Sequence, residues 1–241
     1  MSSTPTNQTH DPLEHETVSV LAHQLRTSLS AMKWILKMFI DGDVGVLTPE
    51  QHGFIEKAYG ANERMIALIS EMLALSKVEG DGMALHKVET NIITLIDDAL
   101  FDFTSESFKN GIEIIFLKPT ERMPKLFVDP AKIRFVIQNF IENAIKYSNS
   151  GDRIVIAVEK KEGMLEISFK DTGIGIPTNE QSKIFEKFYR AKNACAKEEI
   201  GTGLGLYTTK NIIERHGGSV RFESTEDKGT TFYFTIPQSA E

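Results

Sequence analysis

Two glycine-rich runs late in the chain could hold a phosphorylated ligand. The first, DTGIGIP at residues 171–177, follows a predicted strand, and its glycines let the backbone approach a ligand closely. The second, GTGLGL at residues 201–206, begins a predicted helix, where free N–H groups and the helix dipole favour phosphate. It has neither the Gly-Lys-Ser/Thr of a Walker loop nor the βαβ context of a dinucleotide-binding motif. Either run alone is more commonly a tight turn, but the pair indicates one nucleotide pocket.

Two further features fit a nucleotide. Asp171 stands at the end of a predicted strand, where its carboxylate could accept a hydrogen bond from an exocyclic amine such as that of adenine. The polar segment between the two runs contains IFEKFYR at residues 184–190, which we interpret as a mobile lid with an aromatic anchor. Lids of this kind belong to sites that must exclude water.

A polar helical face precedes the first glycine-rich run. Asn139, Asn143 and Lys146 are spaced i, i+4 and i+7, which puts them on one side of a helix, and Tyr147 follows directly. Two amide oxygens and an ammonium group could bind Mg²⁺ and phosphate. The alternative, a solvated polar face, is the commoner explanation of Asn-x-x-x-Asn taken alone.

The first third of the chain carries two helices with heptad seams. The first is predicted over residues 13–40, and the second starts with Thr48 as N-cap, Pro49 as first helical residue and Gln51 closing a capping box. A hairpin of two such helices has two sides to bury, so we predict that two hairpins pair as a four-helix bundle in a homodimer. The seam positions are Val18, Leu21, Leu25, Ser28, Met32, Ile35 and Phe39, then Phe54, Ala58, Ala61, Met65, Leu68, Met72 and Leu75.

Helices and antiparallel strands are interleaved in the rest of the chain, which predicts an α+β two-layer sandwich. The predicted helices cover residues 91–110, 129–148 and 204–216, and the predicted strands cover residues 112–117, 153–159, 165–170, 219–224 and 230–236. The predicted organisation is a disordered tail over residues 1–12, the hairpin over 13–80, a linker over 81–90 and the mixed domain over 91–241.

The composition argues against several classes of protein. Lys and Arg total 27 and Asp and Glu total 34, a net charge of −7, which disfavours a nucleic-acid-binding protein. Cys195 is the one cysteine in the sequence, so no internal disulfide can form and a reducing compartment is expected. No apolar run has the length of a membrane helix and the start does not resemble a signal peptide, so a cytoplasmic location is predicted.

Four motifs together resemble the sensor histidine kinases. NFIENAIKYS at residues 139–148, DTGIGIP, IFEKFYR and GTGLGL resemble, in this order, the N, G1, F and G2 boxes of that family. Its ATP-binding domain belongs to the gyrase, chaperone and mismatch-repair ATPase superfamily. HGGS at residues 216–219 and GTTF at residues 229–232 also resemble its closing hairpin, and the resemblance spans residues 13–237. It implies a helical hairpin that dimerises, followed by an ATP-binding domain.

The resemblance implies that ATP and Mg²⁺ are the cofactors. Asn139 and Asn143 would help hold Mg²⁺, and Lys146 would lie near the phosphates. The hydrolases of the superfamily have a Glu that activates water at the position of Asn139. Because an amide is no base, phosphoryl transfer is favoured over ATP hydrolysis.

The nucleotide contacts are implied for residues of the same four boxes and for Thr230 of GTTF. Tyr147 would line the pocket, Asp171 would bind the adenine amine, and Arg190 would reach the phosphates across the lid. The remaining contacts would come from Gly173, Gly175, Ile176, Gly201, Thr202, Gly203, Leu204, Gly205 and Thr230.

The first helix contains AHQLRTSL at residues 22–29, which resembles the phosphoacceptor box of the family. With Val18 at heptad position a, His23 falls at position f, opposite the seam, where a second domain could deliver ATP. The implied reaction is attack of the neutral His23 imidazole on the γ-phosphorus of ATP, followed by transfer to an Asp of a response-regulator receiver domain. Thr27 matches the position that orients water in members that also dephosphorylate this partner.

Two residues depart from the family pattern. Gln24 stands where the family usually has Glu or Asp, which can accept the imidazole proton, so slower autophosphorylation is expected. Ser28 stands where the family usually has Pro, so a straighter first helix is expected.

The interpretation that these residues favour is a sensor histidine kinase core with possible phosphatase activity. Its partners would be a second copy of the chain and a receiver domain, with no nucleic acid, and a membrane only if a sensor segment outside this sequence spans it. One alternative is an ATP-binding pseudokinase scaffold, which Gln24 supports. The other is an ATP-hydrolysing clamp of the gyrase or chaperone type, which Asn139 and the helical hairpin disfavour.

Overall fold

The computed structural model describes residues 12–79, 85–198 and 201–238. The chain divides into two compact units, Met1–Met83 and Ala84–Glu241. No helix of the described residues is both long enough and apolar enough to cross a membrane.

The first unit is a hairpin of two long helices, α1 (Pro12–Asp41) and α2 (Pro49–Glu79). The predicted capping box forms at the start of α2: Gln51 N donates to Thr48 Oγ1 at 3.3 Å, and Thr48 N donates to Gln51 Oε1 at 2.9 Å. Most of the predicted disordered tail lies outside the described residues. Its last member, Pro12, is the first residue of α1.

The heptad seam is largely exposed in the single hairpin. Leu29 and Asn62 are buried between the helices, and Asn62 Nδ2 donates to the backbone oxygen of Leu29 at 3.0 Å. The seam side chains with large exposed areas are Leu25, Met32, Ile35, Phe54, Met65 and Leu68. The described part of the seam therefore faces outward, as a surface that could pack against another hairpin would.

The second unit is a sheet with helices packed on one face. Its helices are α3 (Ile92–Asn110), α4 (Pro130–Tyr147), α5 (Lys192–Lys197) and α6 (Gly205–Arg215). Its strands are β1 (Val88–Thr90), β2 (Glu113–Leu117), β3 (Leu126–Val128), β4 (Arg153–Lys161), β5 (Met164–Asp171), β6 (Ser219–Thr225) and β7 (Gly229–Pro237). The main sheet has the order β2-β4-β5-β7-β6; β2 and β4 are parallel and the other neighbours antiparallel.

The core lies between α4 and the centre of this sheet. Phe140 of α4 inserts among strand phenylalanines, with its ring centroid 5.3 Å from that of Phe169 on β5 and 5.2 Å from that of Phe232 on β7. Phe232 and Phe234 alternate with half-buried residues along β7, the period-two pattern of a strand with one covered face. The predicted two-layer sandwich is thus confirmed.

The predicted helix ends of this unit rest on recognisable caps. Asn91 caps α3 through a hydrogen bond from Ile93 N, and Gly111 ends α3 in the left-handed conformation.

The structure corrects the assignments of very short elements. Residues 88–90, included in the predicted linker, form β1 and pair with β3, which sequence analysis missed together with α5. A three-residue strand shows no periodicity, and only its distant partner stabilises it.

Candidate active site

The two asparagines of the N box meet on α4. Asn143 Nδ2 donates to Asn139 Oδ1 at 3.1 Å, as their spacing of one helical turn predicts. The Thr209 hydroxyl of α6 donates to the same oxygen at 3.4 Å. Both hydrogen bonds occupy Asn139 Oδ1, so a cation would bind Asn143 Oδ1 directly and Asn139 only if its amide group exchanged these partners. Amide oxygens combined with phosphate oxygens form the hard donor set that suits Mg²⁺.

Lys146 lies on the same helix but pairs with a carboxylate. Its Nζ is 2.6 Å from Glu142 Oε1, one turn earlier. Burial is the largest single effect and lowers the pKa of Lys146, but the hydrogen bond to Glu142 and the nearby charges together raise the net pKa above its ordinary value. Lys146 therefore stays cationic, and reaching a phosphate would require its ammonium group to leave Glu142.

Helix α6 begins directly against Asn139. A Cβ on Gly205 would lie 2.2 Å from Asn139 Nδ2, closer than real Cβ contacts come. Only glycine lets the N-terminus of α6 approach the asparagine pair this closely. The N-terminus of α6, the helix end that favours anions, consequently lies beside the predicted Mg²⁺ ligands.

Asp171 is a buried carboxylate at the end of β5, with 6% of its surface exposed. Its Oδ1 accepts hydrogen bonds from Gly173 N at 2.9 Å and from Thr230 N at 3.1 Å. Burial raises its pKa to about 6, although these two backbone hydrogen bonds oppose the rise. Because both donors bind Oδ1, Oδ2 retains capacity for a donor from a ligand.

The first glycine-rich loop packs against the C-terminus of α4. A Cβ on Gly173 would lie 2.2 Å from the backbone oxygen of Tyr147, and Ile174 N donates to that oxygen at 3.0 Å. Further along, Ile176 N donates to Ser224 Oγ at 2.8 Å. The loop therefore joins Asp171 to Tyr147, which brings two predicted adenine contacts together.

The lid is held by a charged residue that sequence analysis did not single out. Glu180, which is buried, accepts hydrogen bonds through Oε2 from Tyr189 Oη at 3.1 Å and Lys192 N at 2.8 Å. The predicted aromatic anchor is Phe185, whose ring packs edge-on against that of Phe222 with 5.9 Å between centroids. Asn193 Nδ2 donates to Gly175 O at 2.9 Å, so α5 contacts the first glycine-rich loop.

Arg190 binds the backbone of the lid and the second glycine-rich loop. Its guanidinium donates to the carbonyl oxygens of Gly201 at 3.3 Å and Ala194 at 3.2 Å, and also to that of Glu198. In this second loop Leu204 N donates to Thr202 Oγ1 at 3.2 Å, and Gly203 packs against the F-box backbone. The guanidinium thus orders the lid here, and its contact with phosphates stays a prediction.

The phosphoacceptor box lies on α1. Gln24 and Thr27 have exposed side chains; the His23 backbone is helical, and its side chain lies outside the described ones. Ser28 Oγ donates to the backbone oxygen of Gln24 at 3.1 Å. In a helix the N–H of residue 28 also donates to this oxygen, so Ser28 provides two donors to it. A proline at position 28 would provide none, because it has neither an N–H nor a hydroxyl.

Comparisons with known proteins identify the family. The model of the His Kinase A phospho-acceptor domain matches residues 14–81, and that of the histidine kinase-, DNA gyrase B- and HSP90-like ATPases matches residues 128–240. The chain belongs to the sensor histidine kinases. The sensor histidine kinase WalK of Bacillus subtilis is 34% identical over 238 residues, which cover 96% of this chain and 38% of WalK. The chain thus spans well under half the length of this relative.

Solved structures agree with this family. The catalytic domain of the histidine kinase ThkA is 30% identical, with a TM-score of 0.56, and the match covers 64% of this chain and 96% of that domain. Full-length ShkA in complex with AMPPNP superposes with a TM-score of 0.71 at 22% identity, covering 94% of this chain and 47% of ShkA. The latter likeness shows that the fold of this histidine kinase extends over both units.

Proposed function

We propose that this chain is the kinase core of a sensor histidine kinase that transfers the γ-phosphoryl group of ATP to His23. The observation that carries the proposal is the buried Asp171 carboxylate, anchored by Gly173 and Thr230 beside the backbone of Tyr147. An exocyclic amine, such as that of adenine, is a donor that such a carboxylate can bind. The AMPPNP bound by ShkA, an ATP analogue, agrees with this ligand class.

Different described residues would bind the base, the phosphates and Mg²⁺ during phosphoryl transfer. Asp171 and Tyr147 would orient the base, and the N-terminus of α6 at Gly205 would bind the phosphates. Asn139 and Asn143 would hold Mg²⁺, which offsets phosphate charge in a loose transition state when it is bound. Asn139 is an amide and cannot act as a base toward water, and the Glu142 carboxylate of the N box pairs with Lys146.

In the proposed step, a neutral imidazole nitrogen of His23 attacks the γ-phosphorus. The N–P bond forms as the bond from the γ-phosphorus to the β,γ-bridging oxygen breaks, and ADP leaves. The imidazole proton passes to solvent, because Gln24 has no basic group to receive it. The phosphoryl group then passes to an Asp carboxylate of a response-regulator receiver domain, and Thr27 would orient water for hydrolysis of that phosphoaspartate, which releases inorganic phosphate.

We further propose that the kinase acts as a homodimer joined by a four-helix bundle. The support is the exposed seam of the hairpin, with Leu25, Ile35 and Phe54 each more than half exposed in one chain. Burying such side chains stabilises a dimer by about 25 cal/mol per Å² of apolar surface. We place the core in the cytoplasm, where its ATP is available.

The proposed function is tested by incubating the wild-type chain with γ-labelled ATP and Mg²⁺. We expect the protein to acquire label that is stable in base and labile in acid, as phosphohistidine is, and His23→Ala to acquire none. His52→Ala, which removes an exposed histidine from α2, is the matched control and should label normally. Equal labelling of His23→Ala and wild type would contradict the proposal, and ATP binding without labelling of the wild type would favour the pseudokinase.

Gln24→Glu is expected to accelerate phosphohistidine formation about 10-fold, because a carboxylate next to His23 can accept the imidazole proton. Gln24→Met keeps the length of the side chain without a base and should leave the rate within about twofold of wild type. The measurement is the initial rate of labelling at saturating ATP. If Gln24→Glu labels no faster than wild type, the missing base does not limit this kinase.

A further inference from the structure

A buried junction connects the far ends of the two helices that form the nucleotide site. Asp129, with 5% of its surface exposed, caps α4 by accepting hydrogen bonds at Oδ1 from Ala131 N and Lys132 N, at 3.1 and 3.2 Å. Its Oδ2 accepts a hydrogen bond from His86 N at 3.1 Å. Its own backbone N–H donates to Nε2 of His216, the residue that ends α6, at 3.1 Å.

His216 is held in a single tautomer. Its Nδ1 is 2.7 Å from the backbone oxygen of Ile212, and since a carbonyl oxygen only accepts, Nδ1 carries the hydrogen. Nε2 is then the unprotonated acceptor that the N–H of Asp129 requires. Protonating Nε2 would set two donors against each other in a buried place, where an unsatisfied donor is costly.

Helices α4 and α6 are antiparallel, and two contacts between them bear on the nucleotide site. One is the junction of Asp129 with His216, and the other is the contact of Asn139 with Gly205 and Thr209. Ten residues separate Asp129 from Asn139 along α4, a distance of about 15 Å. The hydrogen bond between Asp129 and His216 thus joins the same two helices at a point that no nucleotide would touch.

We propose that His216 is a positioning residue: by accepting from the N–H of Asp129 it fixes α4 against α6, and so sets the geometry in which Asn139 and the N-terminus of α6 bind ATP. This inference rests on the proposed nucleotide site but not on phosphoryl transfer to His23. The experiment that tests it therefore measures the affinity for ATP, which can change whether or not His23 is phosphorylated.

The charges around His216 favour its neutral form. Burial lowers the pKa of His216 and the Lys87 ammonium lowers it further, whereas the Ile212 carbonyl and the Asp129 carboxylate oppose them. A histidine whose pKa is lower in the folded state stabilises the fold above its unfolded value of 6.5, and this stability is lost as the pH falls through the folded pKa. The junction should accordingly be closed at neutral pH and open in acid.

The test compares two substitutions in the full chain by titrating ATP at pH 7.5. His216→Leu keeps the bulk but removes the acceptor, and ATP affinity is expected to fall about 10-fold. His216→Gln offers an amide oxygen to the N–H of Asp129 and should stay within about threefold of wild type. Val158→Ala, a buried truncation on β4 away from the site, is the control for lost stability and should leave ATP affinity unchanged.

A second arm lowers the pH from 7.5 in steps for as long as both proteins stay folded. Wild type should lose more ATP affinity than His216→Gln, because only wild type has a histidine to protonate at this position. Titration of ATP and of Asp171 occurs with both proteins and does not contribute to the difference. This arm tests the proposal even if His216→Leu does not fold, because it compares only wild type with His216→Gln. The proposal is overturned if His216→Leu binds ATP like wild type, if Val158→Ala weakens binding as much as His216→Leu, or if wild type and His216→Gln share one pH profile.

Discussion

Asp171→Asn is expected to weaken ATP binding about 100-fold while raising the melting temperature of the ATP-binding unit at pH 7. The asparagine oxygen would have to stay on the N–H groups of Gly173 and Thr230, which bind Oδ1 of the native carboxylate at 2.9 and 3.1 Å. Its amide nitrogen would then replace Oδ2 and present hydrogens to the hydrogens of the adenine amine. Two donors facing each other in a buried site account for a loss of this size.

The gain in stability follows from the desolvation of the native carboxylate. Burial raises the pKa of Asp171 to about 6 from its ordinary value of 3.8, so keeping it ionised at pH 7 costs on the order of 3 kcal/mol. Because the folded pKa is the higher one, the stabilising contribution of the protonated form is full below pH 3.8 and is lost as the pH rises through 6. The neutral asparagine avoids this cost.

Thermal unfolding and ATP titration between pH 4 and 8 measure both effects. The melting temperature of wild type should fall relative to that of Asp171→Asn as the pH rises through 6. Asp227→Asn, in the exposed turn between β6 and β7, is the matched control and should bind ATP like wild type. Undiminished ATP affinity in Asp171→Asn would mean that this carboxylate does not contact the base.

Gly205→Ala is expected to reduce the affinity for Mg·ATP about 30-fold or more. The added Cβ would lie 2.2 Å from Asn139 Nδ2, so either α6 moves away from α4 or Asn139 changes its rotamer. Either change separates the first N–H groups of α6 from the asparagine pair, which are proposed to hold the phosphates and Mg²⁺. The effect should be larger for Mg·ATP than for adenosine, because the base contacts near Asp171 stay in place.

Gly53→Ala is the control for adding a methyl group to a helix. Gly53 lies in α2, where a Cβ would meet no atom within 4 Å, and alanine there should leave binding unchanged while stabilising the helix by about 0.5–1 kcal/mol. The measurement is calorimetric titration of each variant with Mg·ATP and with adenosine. Equal losses for both ligands would show that Gly205→Ala disturbs the whole pocket rather than the phosphate end.

Local sequence signals predicted most elements of the fold. The predicted helices over residues 91–110 and 129–148 start at the residues that cap α3 and α4, and the predicted strand over residues 230–236 lies within β7. The meeting of Asn139 with Asn143 followed from helical spacing alone. These features depend on neighbours within a turn of helix or along one strand.

The sequence could not predict contacts between residues far apart in the chain. The N–H of Asp129 meets a histidine 87 residues later, and Asn139 meets Thr209 70 residues later. The pairing of Lys146 with Glu142 is different, because an i, i+4 spacing on one helix is a local signal that the sequence does contain.

The heptad seams show a further limit of pattern analysis. Their period marked apolar faces on both helices but could not tell an interface within the hairpin from one between hairpins. In the structure the pair buried inside the hairpin is Leu29 with Asn62, neither of which belongs to the predicted seam. The exposed seam instead supports the proposed dimer.

The transfer of a phosphoryl group from ATP to His23 is tested most directly by locating that group on the wild-type chain. The protein is incubated with Mg·ATP, digested under alkaline conditions that preserve phosphohistidine, and its peptides are sequenced by mass spectrometry. We expect the phosphoryl group on His23 of the AHQLRTSL segment, with ADP formed in equal amount at early times. A phosphoryl group on any other residue, or ADP formed with free phosphate and no phosphorylated peptide, would contradict the proposed kinase mechanism.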